Sequence, residues 1–378
     1  MNPPDDRHPI AGLLRQLRDL KRVRDARSPR SLAERQFGRA WARLAAGEPV
    51  EAVALGETAA AVAAVRLAGL DADVMRQHGL TEGEAADALR RAFDDVAGPV
   101  DAALRGRLRP SLGVLPYGEE PPFVDPLVRQ PRAGATHPGL PRLVLEPAES
   151  HADHSFAVAA FGVLLAPPFG ADPADVFLTG LSHHLFNTTL PDAGYAADAL
   201  LGPALTERMA AAATERALAL LPAGLQARVR DAIGRTREER FGEPAARAFH
   251  AADVLDRVLE MEWHERSARF RLADALGEDT AAGQLNICHA GFYQSFQRSV
   301  LYSAGLMSDT TDPTPDADAP DSGDAFPRDR QPSGSYERGG HGAVPADSPE
   351  AQGPGAEDDR TLADGATVAH LERRELGS

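Results

Sequence analysis

The spacing of apolar residues constrains the fold of this chain more than any other feature. In residues 31–107 and 146–306 apolar side chains recur every three or four positions, as in SLAERQFGRAWARLAAG, and alternating β-branched runs are scarce. Thr81 followed by Glu84 has the spacing of a capping box and predicts that a helix begins there. Because no series of short alternating strands interrupts the pattern, the sequence predicts an all-α fold, a helical bundle.

Proline, glycine and charged residues divide the chain into five predicted regions. Residues 1–30 are charged and are expected to be a flexible N-terminus without chemistry, apart from one short helix. Residues 31–108 predict a small helical bundle, residues 109–145 a Pro/Gly-rich linker, and residues 146–306 a second helical domain. Residues 307–378 are rich in Asp, Pro, Ser and Gly, which predicts a disordered acidic tail.

Composition narrows the classes of partner and of chemistry. The formal net charge of −16 disfavours nucleic acid and anionic membrane surfaces, because both would be repelled. Cys288 is the only cysteine, so a thiolate metal cluster is excluded, and the only lysine, Lys21, gives no support for a P-loop or a Schiff base. The opening residues are polar and the apolar runs are interrupted, so we expect a cytoplasmic protein without a membrane span.

Histidines gather in three separated segments, ESHADHSF, LSHHLF and AFHAADVLDR. Each segment holds a pair of metal-binding side chains: His151 with His154, His183 with His184, and His250 with Asp253. Residues three apart share one face of a helix, so the first and third pairs can each point toward one place in a bundle. Imidazoles and carboxylates on facing helices are how helical bundles build metal sites.

These segments resemble the HD-domain metal-dependent phosphohydrolases. ESHADHSFAVAAFGVLLA is similar to the family's first helix, often written ESxAEHS, with His154 at the metal-binding histidine. FLTGLSHHLF is similar to the helix that ends in the His-Asp doublet, with His183 at the histidine and His184 where the aspartate stands. AFHAADVLDR resembles the helix with the last ligand, ADxLD, at Asp253. The resemblance covers residues 146–269 and is strongest to the 5′-nucleotidase-like branch.

The resemblance implies a metal site and a reaction. Its ligands would be His154, His183, His184 and Asp253, and residues 146–306 would be an HD-like metal-binding domain. Because His184 replaces a hard anionic ligand, the site would favour a divalent transition metal (Fe, Mn, Co, Ni or Zn) over magnesium. The implied reaction is hydrolysis of a phosphate ester by a metal-activated water, with a nucleotide as one candidate substrate.

The same resemblance assigns further residues. In the 5′-nucleotidase-like branch a glutamate three residues after the doublet positions the attacking water; here that position is Asn187, which lacks a base and is expected to contact substrate. Asp192 matches the aspartate near the leaving group. His151 and His250 are alternative groups for proton transfer.

Two arginines are candidates for binding the substrate's phosphate. Arg257 follows Asp253 by one helical turn on the same face and is able to clamp a phosphate with two hydrogen bonds. Arg142, in the predicted linker, is the second candidate. Asp256 is expected to form a structural ion pair, and His264 lies too far along its helix to share the ion of Asp253.

Two other functions stay open at this stage. In some HD-domain proteins a non-haem di-iron site activates oxygen, and His151 and His250 would be the additional ligands of such an oxygenase. Alternatively, the departures at His184 and Asn187 favour a catalytically silent HD scaffold that acts as a binding or regulatory module. In either case the N-terminal bundle is available for a homodimer or a protein partner.

Overall fold

Helices form the regular structure of the described residues. The structure, a computed structural model, describes residues 9–113, 115, 118–133 and 145–269, and within these ranges no strand is present beyond isolated bridges. The all-α prediction is confirmed, whereas Arg142, Cys288 and the predicted tail at 307–378 lie outside the described residues. The helices are α1 (Pro9–Arg18), α2 (Leu32–Ala45), α3 (Val50–Leu67), α4 (Ala72–Gln77), α5 (Glu82–Val96), α6 (Ala102–Leu108), α7 (Val124–Arg129), α8 (His151–Phe169), α9 (Pro173–Ser182), α10 (Gly194–Leu201), α11 (Pro203–Leu218), α12 (Ala223–Gly234) and α13 (Pro244–Ala268).

Side chains at the helix ends explain where several helices begin and end. Capping boxes open α2, α5 and α8, and their residue pairs are Ser31 with Glu34, Thr81 with Glu84, and Ser150 with Asp153. The predicted box at Thr81 is therefore confirmed. Gly170 takes a left-handed conformation, with φ +65°, and ends α8.

Helix α8 lies at the centre of the described bundle. It packs against α2, α3, α9 and α13, and beyond its polar first turn it is apolar around its whole circumference. By length and composition it is the one described helix that could cross a membrane, but 83% of the apolar window is buried inside the protein. A helix that is hydrophobic on all sides and buried by its neighbours is typical of the core of a large helical domain.

Two glycines allow α8 and α9 to approach closely. A Cβ atom on Gly180 would lie 2.7 Å from the Cα atom of Ala159, and one on Gly162 would lie 2.4 Å from a methyl carbon of Val176. These pairings run in opposite directions along the two helices, so α8 and α9 are antiparallel. The C-terminal end of α9 therefore lies beside the first turn of α8.

The N-terminal segment differs from the expected flexible tail. Leu13, Leu14 and Leu17 of α1 are buried, and they belong to the same hydrophobic cluster as the cores of α8, α9 and α13. The leucines form an apolar face on α1. The overall composition of residues 1–30 does not reveal this face, because the segment contains many charged residues. The predicted linker also joins this core, because α7 lies within it and Phe123 is fully buried. All described residues lie in one compact unit.

Candidate metal centre

The close contact of α8 and α9 brings three predicted ligands together. His154 lies in the first turn of α8, His183 caps the C-terminal end of α9, and His184 follows it. One ligand nitrogen from each of the three histidines lies within 4.8 Å of the other two. Asp253 joins them from α13, with its Oδ1 3.1 Å from Nε2 of His154. We call these four side chains the ligand cluster.

All three imidazoles use one nitrogen for a hydrogen bond and leave the other without a partner. Nδ1 of His154 lies 2.7 Å from Oδ2 of Asp256. Nδ1 of His183 lies 2.7 Å from the carbonyl oxygen of Gly180, and Nδ1 of His184 lies 2.9 Å from Oδ1 of Asn187. Because each of these partners is an acceptor, each Nδ1 carries a proton, and in a neutral ring Nε2 then presents a lone pair. The three Nε2 atoms are buried without a hydrogen-bond partner.

The carboxylate of Asp253 faces one of these lone pairs. Its Oδ1 has no hydrogen-bond partner either, although it lies 3.1 Å from Nε2 of His154. Burial alone would raise the pKa of Asp253, but the surrounding groups, with the Arg257 guanidinium first among them, outweigh burial and hold that pKa well below its usual range. A charged oxygen and an imidazole nitrogen that face each other in a buried place need a cation between them, either a proton on the ring or a metal ion.

Burial keeps the doublet imidazoles neutral. The pKa values of His183 and His184 lie well below the ordinary value, chiefly because burial disfavours the charged ring, and the neighbouring histidines add to the effect. Neutral imidazole is the form that binds a metal ion. The cluster is therefore in its ligating state without the loss of protons from the doublet.

A second set of charges lies behind His154. Asp256 is fully buried and accepts hydrogen bonds from Nδ1 of His154 and from Nζ of Lys21, the latter at 2.6 and 2.8 Å. Lys21 also binds Glu149, and it lies 3.7 Å from Glu260. Burial would lower the pKa of Lys21, but Asp256, Glu149 and Glu260 together raise it, so the ammonium stays charged.

From the sequence, no role at this site was assigned to Lys21 or Glu149. Asp256 was expected to form a structural ion pair and does so, although its partners are Lys21 and His154. Lys21 was placed in a segment without chemistry, and Glu149 was quoted only as part of the helix motif. A single lysine in the whole sequence was the available signal, but its pairing with α13 spans 235 positions and no local pattern reveals it.

The structure places two of the proposed catalytic residues side by side. His151 is buried next to His184, with 4.7 Å between ring centres, and neither ring nitrogen has a hydrogen-bond partner. Its Nε2 lies 3.6 Å from Oδ2 of Asp192. Burial lowers the pKa of His151 to about 3, so the ring is neutral near pH 7. Asp192 is held by backbone amides of Ala133 and Gly194.

Asn187 acts on His184 in the structure. Its Oδ1 accepts the hydrogen bond from His184, and its Nδ2 donates to the carbonyl of Leu190 at 3.2 Å. Both ends of the amide are thus used within the protein, and the residue is buried. The substrate contact expected for Asn187 stays a prediction. Its hydrogen bond with His184 was not expected from the sequence.

Arg257 and His250 lie on α13 around Asp253. Nε of Arg257 is 3.5 Å from Oδ1 of Asp253, so the guanidinium borders the ligand cluster. His250 is half-buried between Phe241 and Phe249, its Nε2 has no partner, and burial lowers its pKa. Arg142, the other predicted phosphate ligand, lies outside the described residues.

The ligand cluster fits a divalent transition metal. One nitrogen from each of the three imidazoles converges, Oδ1 of Asp253 lies 3.1 Å from Nε2 of His154, and neither the Nε2 atoms nor this oxygen has a hydrogen-bond partner within the described residues. Each imidazole is oriented by a hydrogen bond from its other nitrogen, which is how metal-binding histidines are generally held. A donor set rich in imidazole suits Fe, Co, Ni or Zn better than magnesium.

Comparison with protein families agrees with this geometry. Residues 124–281 match the family model described as HD domain. The chain carries an HD domain. The match includes all four side chains of the ligand cluster and begins at α7, within the predicted linker. Comparisons with curated proteins and with solved structures gave no significant match.

Membership of this superfamily has a chemical consequence at the level of the family. HD domains typically bind divalent metal ions, and the match indicates activity of the metal-dependent phosphohydrolase type. In this HD domain the second position of the doublet is His184. Its Nδ1 is hydrogen-bonded to Oδ1 of Asn187, and its Nε2 has no hydrogen-bond partner and can bind an ion.

Proposed function

We propose that this HD domain hydrolyses a phosphate ester, with a nucleotide as one candidate substrate. The observation that carries the proposal is the convergence of three imidazole nitrogens in a domain of this family, with Oδ1 of Asp253 3.1 Å from Nε2 of His154. His154, His183, His184 and Asp253 would hold the ion. When bound, a divalent transition metal supplies Lewis acidity and lowers the pKa of a water molecule.

The residues around the cluster have separate tasks in this proposal. Arg257 borders Asp253 and orients the phosphate, because its guanidinium matches two phosphate oxygens at once. Asp192 exchanges a proton with the leaving group through Oδ2, which faces His151. His151 is neutral near pH 7, and its pKa of about 3 makes it a weak proton acceptor, so proton transfer falls to Asp192 in this proposal. Asn187 holds the doublet.

Metal content is the first test. Protein purified without chelator should contain near-stoichiometric transition metal, and the His183→Ala/Asp253→Ala variant should contain almost none. The exposed His78 is far along the chain from the cluster, so His78→Ala is the matched control and should keep the metal. Absence of metal from the wild type, even after addition of Mn, Fe, Co, Ni and Zn, would leave the silent scaffold as the function.

Substrate assays separate the two enzymatic functions. We expect release of inorganic phosphate from p-nitrophenyl phosphate or from a panel of nucleotides by the metal-loaded protein. Arg257→Gln should lower kcat/KM by roughly 10- to 100-fold, the effect of losing one charged hydrogen bond to substrate. Iron as the bound metal, oxygen consumption and no phosphate release would instead favour the oxygenase, with the unpartnered His151 as an additional ligand.

The cellular setting completes the proposal. We expect a cytoplasmic protein whose partner is a phosphorylated small molecule, with no nucleic acid or membrane involved. A homodimer or protein partner at the N-terminal bundle belongs to the same proposal, and sedimentation at several concentrations tests it.

A further inference from the structure

Lys21 lies outside the part of the chain that matches the HD family, yet it reaches the back of the ligand cluster. We propose that Lys21 is a positioning residue for the metal site: its ammonium fixes Asp256, and Asp256 fixes the ring of His154 with Nε2 directed at the ion. This inference rests on the proposed metal site. It makes an N-terminal segment, far upstream of the matched HD residues, part of that site.

The first argument is the chain of contacts itself. Nζ of Lys21 lies 2.6 and 2.8 Å from the two oxygens of Asp256, and Oδ2 of Asp256 lies 2.7 Å from Nδ1 of His154. All three side chains are buried, so water does not screen the charges. A carboxylate that accepts from a ligand histidine fixes the tautomer and the ring orientation, and such partners matter for metal affinity.

The second argument is what Lys21 prevents. Ligand atoms of Glu149, His154 and Asp256 lie within 4.8 Å of one another and would make a second group able to hold a metal ion. The Lys21 ammonium contacts both carboxylates of this group. The place of a second cation is thus taken by a side chain, and Nδ1 of His154 is reserved for Asp256.

The third argument is that the segment carrying Lys21 is fixed in place. Arg15 donates to both oxygens of Glu262 on α13, at 3.0 and 2.9 Å, and Arg18 donates to the carbonyl of Leu259. Arg22 binds Glu260 and lies over the ring of Trp263, 3.8 Å from its centre. Cations on both sides of Lys21 therefore attach this segment to the helix that carries Asp253 and Asp256.

The test compares two cations of the same segment. Lys21→Met removes the ammonium at the cluster, whereas Arg15→Met removes an ion pair with the same helix that touches none of the ligands' partners. Both losses lower the thermal stability of the metal-free protein. We expect Lys21→Met to raise the metal Kd by roughly 10- to 100-fold, and Arg15→Met to leave it within about twofold of the wild type.

Two further variants keep the experiment decisive. Lys21→Met/Asp256→Asn removes both charges of the pair, and so leaves fewer unpaired buried charges if the single variant does not fold. It should also bind metal at least about tenfold more weakly than the wild type. Lys21→Arg keeps the charge and should recover most of the affinity.

The absorption spectrum of the cobalt-loaded protein gives a readout that stability does not move. We expect the cobalt bands to shift in Lys21→Met and to be unchanged in Arg15→Met, because only the first alters the orientation of a ligand. Wild-type affinity and spectrum in both Lys21→Met and the double variant would overturn the inference. A wild type that binds no metal would instead overturn the proposed function, so the two failures are distinguishable.

Discussion

Two buried polar clusters in this molecule differ in one respect, which is whether their polar atoms have partners. Between α2 and α3, the fully buried Glu57 accepts hydrogen bonds from Arg39 and Arg43 at 2.7 to 3.1 Å, and none of these side chains has a buried atom without a partner. We call these three residues the Glu57 cluster. In the ligand cluster the four inward atoms have no hydrogen-bond partner.

The comparison teaches what each cluster is for. Buried charges that satisfy one another hold helices together and leave nothing for a ligand to contact. Buried acceptor atoms without partners destabilise the metal-free protein, and binding of an ion to them stabilises the folded state. We therefore expect substitutions in the Glu57 cluster to affect stability and substitutions in the ligand cluster to affect metal binding.

The largest effect is expected from Glu57→Ala. Removing this carboxylate leaves Arg39 without its buried partner and deprives Arg43 of one of two, which should lower the free energy of unfolding by about 3–5 kcal/mol. Urea denaturation measures the change, and metal Kd should not change at temperatures where the variant is folded. Glu51→Ala, which removes an exposed partner of Arg107, should cost less than about 1 kcal/mol. Equal losses for the two variants would contradict the comparison.

Gly180→Ala tests the helix contact that assembles the ligand cluster. The new methyl group would lie 2.7 Å from backbone atoms of Ala159, so α9 must move away from α8 at a cost of about 1–3 kcal/mol. His183 should move with α9, because its ring is hydrogen-bonded to the carbonyl oxygen of Gly180. The metal Kd should therefore rise. Gly106→Ala is the control: nothing lies within 4 Å of its Cβ, and in the middle of α6 it should stabilise by roughly 0.5–1 kcal/mol. Unchanged metal affinity in Gly180→Ala would show that α9 has other freedom to adjust.

Asn187→Leu separates the two roles available to Asn187. If its amide orients His184, the substitution should weaken metal binding by about 10- to 100-fold. If Asn187 acts only on substrate, metal Kd should stay at the wild-type value while KM rises. Titration with cobalt followed by steady-state kinetics distinguishes these results, and Thr188→Val, which removes a neighbouring hydroxyl bonded to the carbonyl of Leu185, is the control.

The parts of this structure that could be predicted from sequence are those with local causes. Helical periodicity and the capping box at Thr81 depend on residues a few positions apart, so the all-α fold was accessible. The contact between His184 and Asn187 is also local, three residues apart, but the family pattern directed attention to substrate instead. Lys21 could not be assigned, because its partners Glu149 and Asp256 are brought to it by the packing of α1 on α13.

The smallest effect concerns the pH dependence of stability in the presence of a chelator. Burial lowers the pKa of His151 to about 3 in the folded protein, while an unfolded histidine titrates near 6.5. As the pH falls below 6.5 the unfolded chain binds a proton that the folded protein refuses, so this residue removes about 1.4 kcal/mol of stability per pH unit. His151→Phe keeps a ring in the site and abolishes this loss, so its stability relative to the wild type should increase by that amount for each unit between pH 5.5 and 4.5. Gly106→Ala changes no titratable group and should follow the wild-type slope. Parallel slopes for His151→Phe and the wild type would mean that His151 is charged in the folded protein, contrary to the argument from burial.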